Sequence, residues 1–330
     1  MHDGETGRAP GAQVEPGWLV LVERLRSGGP LPAPAAAGLT GGPESLGRAL
    51  PVLTAFGLPV VVDSRDGSLH WRPGPGSLDA GAIAATAAAL GWSCPVEVRA
   101  LVDSTSTRLA AQDGADLPRA LLAECQWAGR GRRGRRWQAG YGEAILLSVR
   151  LALTRAPAQR PGLALAAGCA VAETLGPLMT RPPALKWPND LVVDGGKLGG
   201  LLVEAAGDGS LVVGLGLNWS LSAALTEGLG RAVVNLAPLL AMPRGRNALA
   251  GHLLAALLAA AVRFDREGLA PFLDRFAALD ALAGRRVVVE SAAGMRAGRA
   301  CGLAGDGALR VDHDGQVVAY HSAEVTLAWP

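Results

Sequence analysis

The sequence predicts a mixed α/β core, with a small helical module before it and a small all-β module after it. Three observations carry this expectation. From residue 96 onward, apolar runs of strand length alternate with runs at helical spacing. From residue 284 the period changes to short β runs broken by Gly and Asp at tight turns. Residues 17–74 hold two helix-like stretches followed by a hairpin signature. At 330 residues the chain has room for two or three domains, because a single core stops growing near ~250–300 residues.

Residues 1–16 combine Gly, Pro and acidic residues without the basic-then-apolar order of a signal peptide, and read as a flexible tail. Residues 17–30 then place apolar side chains at near-helical spacing ahead of a Gly-Gly-Pro stop. The next stretch, LPAPAAAGLTGGP, reads as irregular from its Pro and Gly, and 44–56 as a helix in spite of Pro51. Residues 60–62 and 69–71 form the hairpin that completes a winged-helix outline over 17–74. A linker is expected at 72–77, then a helix at 79–90.

The central unit, 75–283, is expected to place strands at 96–102, 120–125 and 144–153, with a helix at 104–112 between the first two. A long apolar helix at 162–175, a strand at 191–193 and a strand pair at 198–205 and 211–217 follow. Helices at 247–265 and 269–279 close the unit. The apolar stretch 253–262 is shorter than the ~18 residues of a membrane span and reads as buried helix, so no membrane partner is expected. Residues 284–330 form the terminal β module.

A net charge of +2 implies no nucleic-acid partner by itself. Cys94, Cys125, Cys169 and Cys301 lie far apart and form no C-x-x-C, so neither a zinc site nor a disulfide framework is expected, and a reducing cytoplasm fits best. Of 31 basic residues only Lys186 and Lys197 are lysines. In a chain so biased to arginine, two retained lysines point to chemistry.

Three segments can carry that chemistry. Residues 129–137, GRGRRGRRW, interleave five arginines with three glycines. Such a segment reads as a mobile cationic loop awaiting an anion; taken alone, it is equally a solvated basic loop or an RGG-like nucleic-acid contact. Lys186-Trp187-Pro188-Asn189-Asp190 is followed eleven residues after Lys186 by Lys197, and a hairpin here would gather two cations, an amide and a carboxylate at one strand end. The alternative is an ordinary Asn-Asp turn with two surface lysines. Asp103-Ser104-Thr105-Ser106-Thr107 sits where a strand meets a helix; the residues alone favour simple capping over a grip on a polar ligand head.

Together DSTS, ECQWAGRGRRGRRW, KWPND with Lys197, GLLVE and GLGLNW resemble biotin protein ligases in order and spacing. The resemblance implies a biotin/lipoate ligase-type catalytic domain related to class II aminoacyl-tRNA synthetases, with an SH3-like C-terminal barrel over 284–330 and a degenerate winged-helix-like module. It implies adenylation of biotin by ATP with Mg²⁺, then transfer to a lysine of the biotin carboxyl carrier protein of acetyl-CoA carboxylase. By the same resemblance, Ser104, Thr105, Ser106, Gln126, Arg130, Gly131, Arg132 and Lys197 contact biotin. Arg133, Arg135, Trp137, Lys186, Asn189, Asp190 and Asn218 contact ATP. Lys197, Arg132, Lys186 and Asp190 are expected to be catalytic, with Asp190 also a candidate magnesium ligand. Many relatives have asparagine at Ser106 and arginine at Ala328.

The rival readings are a lipoate ligase, a biotin-responsive DNA-binding repressor and an RNA-binding protein. GRGRRGRRW with KWPND favours biotin over lipoate. The segment aligned with a recognition helix, PESLGRALPVLTAFG, offers one cation, Arg48, so DNA binding is not expected. A homodimer through a sheet edge is left open.

Overall fold

The computed structural model describes residues 14–112, 116–155, 160, 162–291 and 294–327. Most of the expected tail, and Ala328, lie outside these residues. The N-terminal module contains α1 (Pro16–Gly28), α2 (Ala33–Thr40), α3 (Pro43–Ala55) and the antiparallel hairpin of β1 (Val60–Val62) and β2 (Leu69–Trp71). Helix α2 corrects the expectation of irregular chain. Its proline falls in the first helical turn, where the lost N–H would have no partner, and Gly41 ends the helix in the left-handed region at φ 94°.

The catalytic unit begins with α4 (Ala80–Ala89), β3 (Val96–Val102), α5 (Thr105–Ala110), β4 (Arg119–Gln126), β5 (Ala144–Leu151) and α6 (Leu163–Leu175). It continues with β6 (Ala184–Lys186), β7 (Asp190–Val193), β8 (Gly196–Ala205), β9 (Leu211–Asn218), α7 (Ala223–Gly228), α8 (Arg246–Glu267) and α9 (Ala270–Leu279). Seven strands form one sheet in the order β3-β4-β5-β9-β8-β7-β6; β3 and β4 run parallel and the remaining neighbours antiparallel.

Helix α8 is long and apolar enough to cross a membrane by length and composition, with mean hydropathy 1.5. It packs instead on α4 and α6 and buries Leu249, Leu253, Leu254, Leu257 and Phe264 in the main core. Strand β5 is buried along its whole length, as a central strand covered on both faces should be.

The C-terminal unit is a five-stranded antiparallel sheet in the order β13-β12-β11-β10-β14. Its strands are β10 (Arg286–Ser291), β11 (Gly294–Leu303), β12 (Leu309–His313), β13 (Gln316–Tyr320) and β14 (Glu324–Leu327). Val287, Val289, Leu309, Val311 and Val325 from this sheet join the same apolar core as α8.

The N-terminal module docks on the exposed edge of β3. From α1, Glu23 Oε1 accepts from the Ala100 N–H at 3.1 Å, and Arg26 Nη2 donates to the Val98 carbonyl at 3.0 Å. Two edge-facing backbone groups are thereby satisfied by side chains, which blunts the edge against pairing with another strand. The apolar face of α1, with Trp18, Leu21 and Leu25, packs into a cluster shared with Ala100, Leu101 and Cys125 of the catalytic sheet.

Candidate active site

A single pocket over the central strands β5, β9 and β8 gathers the three segments of interest. Its floor is polar hydroxyl on a strand of glycines. Ser104 caps α5 by accepting from the Thr107 N–H at 3.5 Å, and it lines the pocket as well, so capping and lining are not alternatives. The Thr105 N–H donates to Gln126 Oε1 at 2.7 Å, and its hydroxyl meets Ser148 Oγ at 2.7 Å. Ser106 Oγ meets the same Ser148 hydroxyl at 3.0 Å.

Beside this chain lie Gly214 and Gly216 of β9. A Cβ on Gly214 would stand 2.6 Å from Ser106 Oγ, and one on Gly216 would stand 2.6 Å from the Trp137 ring. Larger residues at either position would fill the floor. Trp137 covers it from the side, and its buried indole N–H has no acceptor among the described residues. That donor is available to a ligand.

The arginine segment, expected as a mobile cationic loop, forms a hydrogen-bonded turn. Arg130 and Arg136 pair as an isolated bridge, Gly131 N–H donates to the Arg135 carbonyl at 2.8 Å, and Trp137 N–H donates to the Gly129 carbonyl at 2.9 Å. Left-handed residues at Arg133, φ 55°, and Gly134, φ 72°, turn the chain back. Several of its cations are already neutralised from distant elements: Arg130 pairs with Glu204 of β8 at 2.5 Å, and Arg135 with Glu324 of β14 at 2.5 Å. Arg132 makes no ion pair among the described residues, and burial, then the neighbouring Arg133, draw its guanidinium below its ordinary pKa. It stays a cation, since arginine does not deprotonate in proteins.

The KWPND segment spans the β6–β7 turn, as expected. Lys186 and Asp190 face each other across the hairpin, and Asn189 Nδ2 donates to the Leu201 carbonyl at 2.5 Å. The Asp194-Gly195 turn, φ 49° and 80°, reverses the chain into β8 and brings Lys197 back to Asp190 Oδ1, at 2.5 Å. Lys197 Nζ also lies 5.8 Å from the centre of the Trp137 ring. Burial lowers the Lys197 pKa, Arg231 and Lys186 lower it further, and Asp190 partly offsets them.

Two expectations change in detail. Asn218 does not line the pocket; its amide nitrogen donates to the carbonyls of Lys197, at 2.9 Å, and Val234, at 3.3 Å. It therefore acts on the site by holding the Lys197 strand. Asp190 belongs to no group of three His, Cys, Asp or Glu among the described residues, and its carboxylate is shared with Lys197. Magnesium fits such a site as part of a nucleotide, held by phosphates and one carboxylate, and not in a protein cage.

Ser148 and Arg231 carry no motif in the sequence, and Trp187 and Glu324 stand inside motifs without an expected role of their own. Ser148 left a signal, a hydroxyl inside the otherwise apolar run AILLSV. Trp187 is 3% exposed and its indole N–H donates to the Gly307 carbonyl at 3.0 Å, tying the KWPND turn to the C-terminal unit. The cysteines take no part: burial pushes Cys94 up to about 11 and Cys125 and Cys169 to about 12, which keeps these thiols protonated.

A mixed sheet carrying fixed cations, a lysine-carboxylate pair and a hydroxyl floor in one pocket is suited to an enzyme acting on anionic ligands. Residues 98–220 match the model of the biotin/lipoate A/B protein ligase family. Over 241 residues the chain is 35% identical to the bifunctional ligase/repressor BirA of Escherichia coli, covering 70% of this chain and 74% of that protein. It is 46% identical over 135 residues to the biotin–[acetyl-CoA-carboxylase] ligase of Mycobacterium tuberculosis, covering 39% and 50% of the two chains. The fold also matches a biotin protein ligase from Aquifex aeolicus solved with biotin and ATP, with TM-score 0.63, 24% identity, and coverage of 71% and 98%. The chain belongs to the biotin protein ligase family.

Proposed function

We propose that this chain adenylates biotin with ATP and transfers it to a lysine of the biotin carboxyl carrier domain of acetyl-CoA carboxylase. The observation that carries the reading is the convergence of Lys197, Asp190 and the arginine turn over the Ser104–Ser106 hydroxyls in one pocket. In the first step a carboxylate oxygen of biotin attacks the α-phosphorus and pyrophosphate leaves. Two anions must meet, so fixed cations are needed before the bond forms, and Lys197, Lys186 and Arg132 supply them. In the second step the acceptor amine attacks the acyl carbon, AMP leaves, and the amine gives up a proton.

Incubation with ATP, Mg²⁺ and labelled biotin or lipoate, scoring adenylate and transfer to a carrier domain, tests the reading. Labelling from lipoate and not biotin would reject it. Arg132, a pocket cation with no ion pair among the described residues, is assigned to hold the mixed anhydride away from water. The Arg132→Gly variant is expected to release biotinyl-adenylate and label bystander proteins; retention of the adenylate at the normal level would remove that role. Asp190 is assigned to orient or deprotonate the acceptor amine, whose free pKa is near ~10.4. Asp190→Asn should slow transfer from preformed biotinyl-adenylate by about 10²-fold or more, and an unchanged transfer rate would refute the assignment.

The N-terminal module is proposed to brace the catalytic sheet and not to read an operator. Arg48, the one cation on α3, is paired with Glu15 at 3.0 Å, and α1 is fastened to the β3 edge. A salt-dependent gel shift with the chain's own upstream DNA would overturn this.

A further inference from the structure

We propose that Glu324 is a positioning residue that holds Arg133 and Arg135 in the place of a nucleotide phosphate, so that the nucleotide binds by displacing a carboxylate. The inference rests on the ligase reading and adds to it a residue from outside the catalytic sheet.

Glu324 opens β14, the last strand of the C-terminal unit, yet it lines the same pocket as Lys197 and Asp190. Its carboxylate stands 2.5 Å from Arg135 and 4.0 Å from Arg133. Both approaches are to one carboxylate oxygen, Oε2, which stands among the two guanidinium groups as a single phosphate oxygen would.

The position of Glu324 in its own sheet points the same way. Across β10 and β14 it lies directly opposite Glu290. Like charges in register on antiparallel strands are unfavourable. Glu324 is thus a poor choice for its sheet and a good one for the arginine turn, 189 residues earlier in the chain. Arg132 stands in contrast, with no ion pair among the described residues. The turn therefore presents two cations with no ion pair among the described residues, Arg132 and Arg136, and two more, Arg133 and Arg135, held by a displaceable anion.

When a triphosphate enters, Arg133 and Arg135 transfer to it and Glu324 is left facing an incoming anion. Both effects oppose nucleotide binding. Replacing Glu324 by glutamine should then tighten nucleotide binding by about two- to fivefold, the scale of a partly exposed ion pair. The gain should shrink as salt is raised.

The test measures binding of a non-cleavable α,β-methylene ATP analogue, with biotin present, to the full chain and to Glu324→Gln, Arg135→Gln and the double variant. The expected result is tighter binding in Glu324→Gln, with a smaller gain when Arg135 is already glutamine, because only Arg133 and the direct repulsion then remain to be relieved. Unchanged or weaker binding in Glu324→Gln overturns the proposal. Glu290→Gln relieves the same repulsion between strands but leaves the arginines held, so it should not alter binding. An equal gain in Glu290→Gln would assign the effect to the sheet and also overturn the proposal.

A second measurement does not depend on ligase chemistry. Tryptic cleavage within residues 129–137 of the ligand-free protein should be faster in Glu324→Gln. Absence of analogue binding by the unaltered chain would sink the ligase reading, while equal cleavage rates in the two free proteins would separately sink the role of Glu324.

Discussion

Lys197→Ala is expected to reduce biotin adenylation by about 10²–10³-fold, the usual cost of removing one fixed cation or donor from a developing negative charge. The lysine is held in place from several sides. Its N–H donates to the Ala232 carbonyl at 3.0 Å, its carbonyl accepts from Val234 at 2.9 Å and from Asn218, and its ammonium meets Asp190. The variant should therefore keep its fold and lose the charge at one point. Biotin binding that survives while adenylation is normal would remove Lys197 from the chemistry.

The direction of its pKa shift adds a second readout. Lysine must be protonated to stabilise the pentavalent phosphorus, and burial with two neighbouring cations lowers its pKa. The charged fraction falls as pH rises through that lowered value, before a free lysine near ~10.4 would lose its proton. The adenylation rate should decline on that alkaline limb. Lys197→Arg should abolish the limb, because arginine keeps its proton, although its different geometry will lower the absolute rate.

Glu124→Ala is expected to destabilise the protein by about 3–5 kcal/mol, since it strands a buried guanidinium. Glu124 on β4 is 2% exposed and Arg246 at the start of α8 is 6% exposed, with 2.7 Å between them. The pair is the centre of a network: Glu124 also accepts from the Leu78 N–H at 2.5 Å, and Arg246 donates to the Gly76 carbonyl at 3.0 Å and the Ala144 carbonyl at 3.3 Å. It fastens the segment that joins the N-terminal module to the catalytic sheet. Denaturant midpoints of Glu124→Ala, Arg246→Met and the double variant Glu124→Met/Arg246→Met check this. The double variant should recover part of the loss, because no lone charge remains. A change under ~1 kcal/mol in Glu124→Ala would show that the pair is dispensable.

Local signals made much of the site legible. Alternation and turn chemistry located β7, β8 and β9, because an Asp-Gly pair with positive φ specifies a tight hairpin from its own two residues. The rarity of lysine marked Lys186 and Lys197 without any reference to the fold. Around Ala33–Thr40 two local signals compete: Pro and Gly suggest broken chain, whereas here they occupy the helix start and end, where those residues are at home.

Sequence alone determined the fold class, the family resemblance and the identity of the cationic turn, because hydrophobic period, turn residues and motif order are properties of neighbouring positions. Tertiary structure decided which of those cations are free. Glu204 and Glu324 reach the turn from strands far along the chain and neutralise Arg130 and Arg135, while Arg132 and Arg136 make no ion pair among the described residues. It also set the Asn218 amide against the Lys197 carbonyl and carried α1 onto the β3 edge. Each of these depends on through-space distance between segments that sequence separation conceals, and charge pairing is set by that distance.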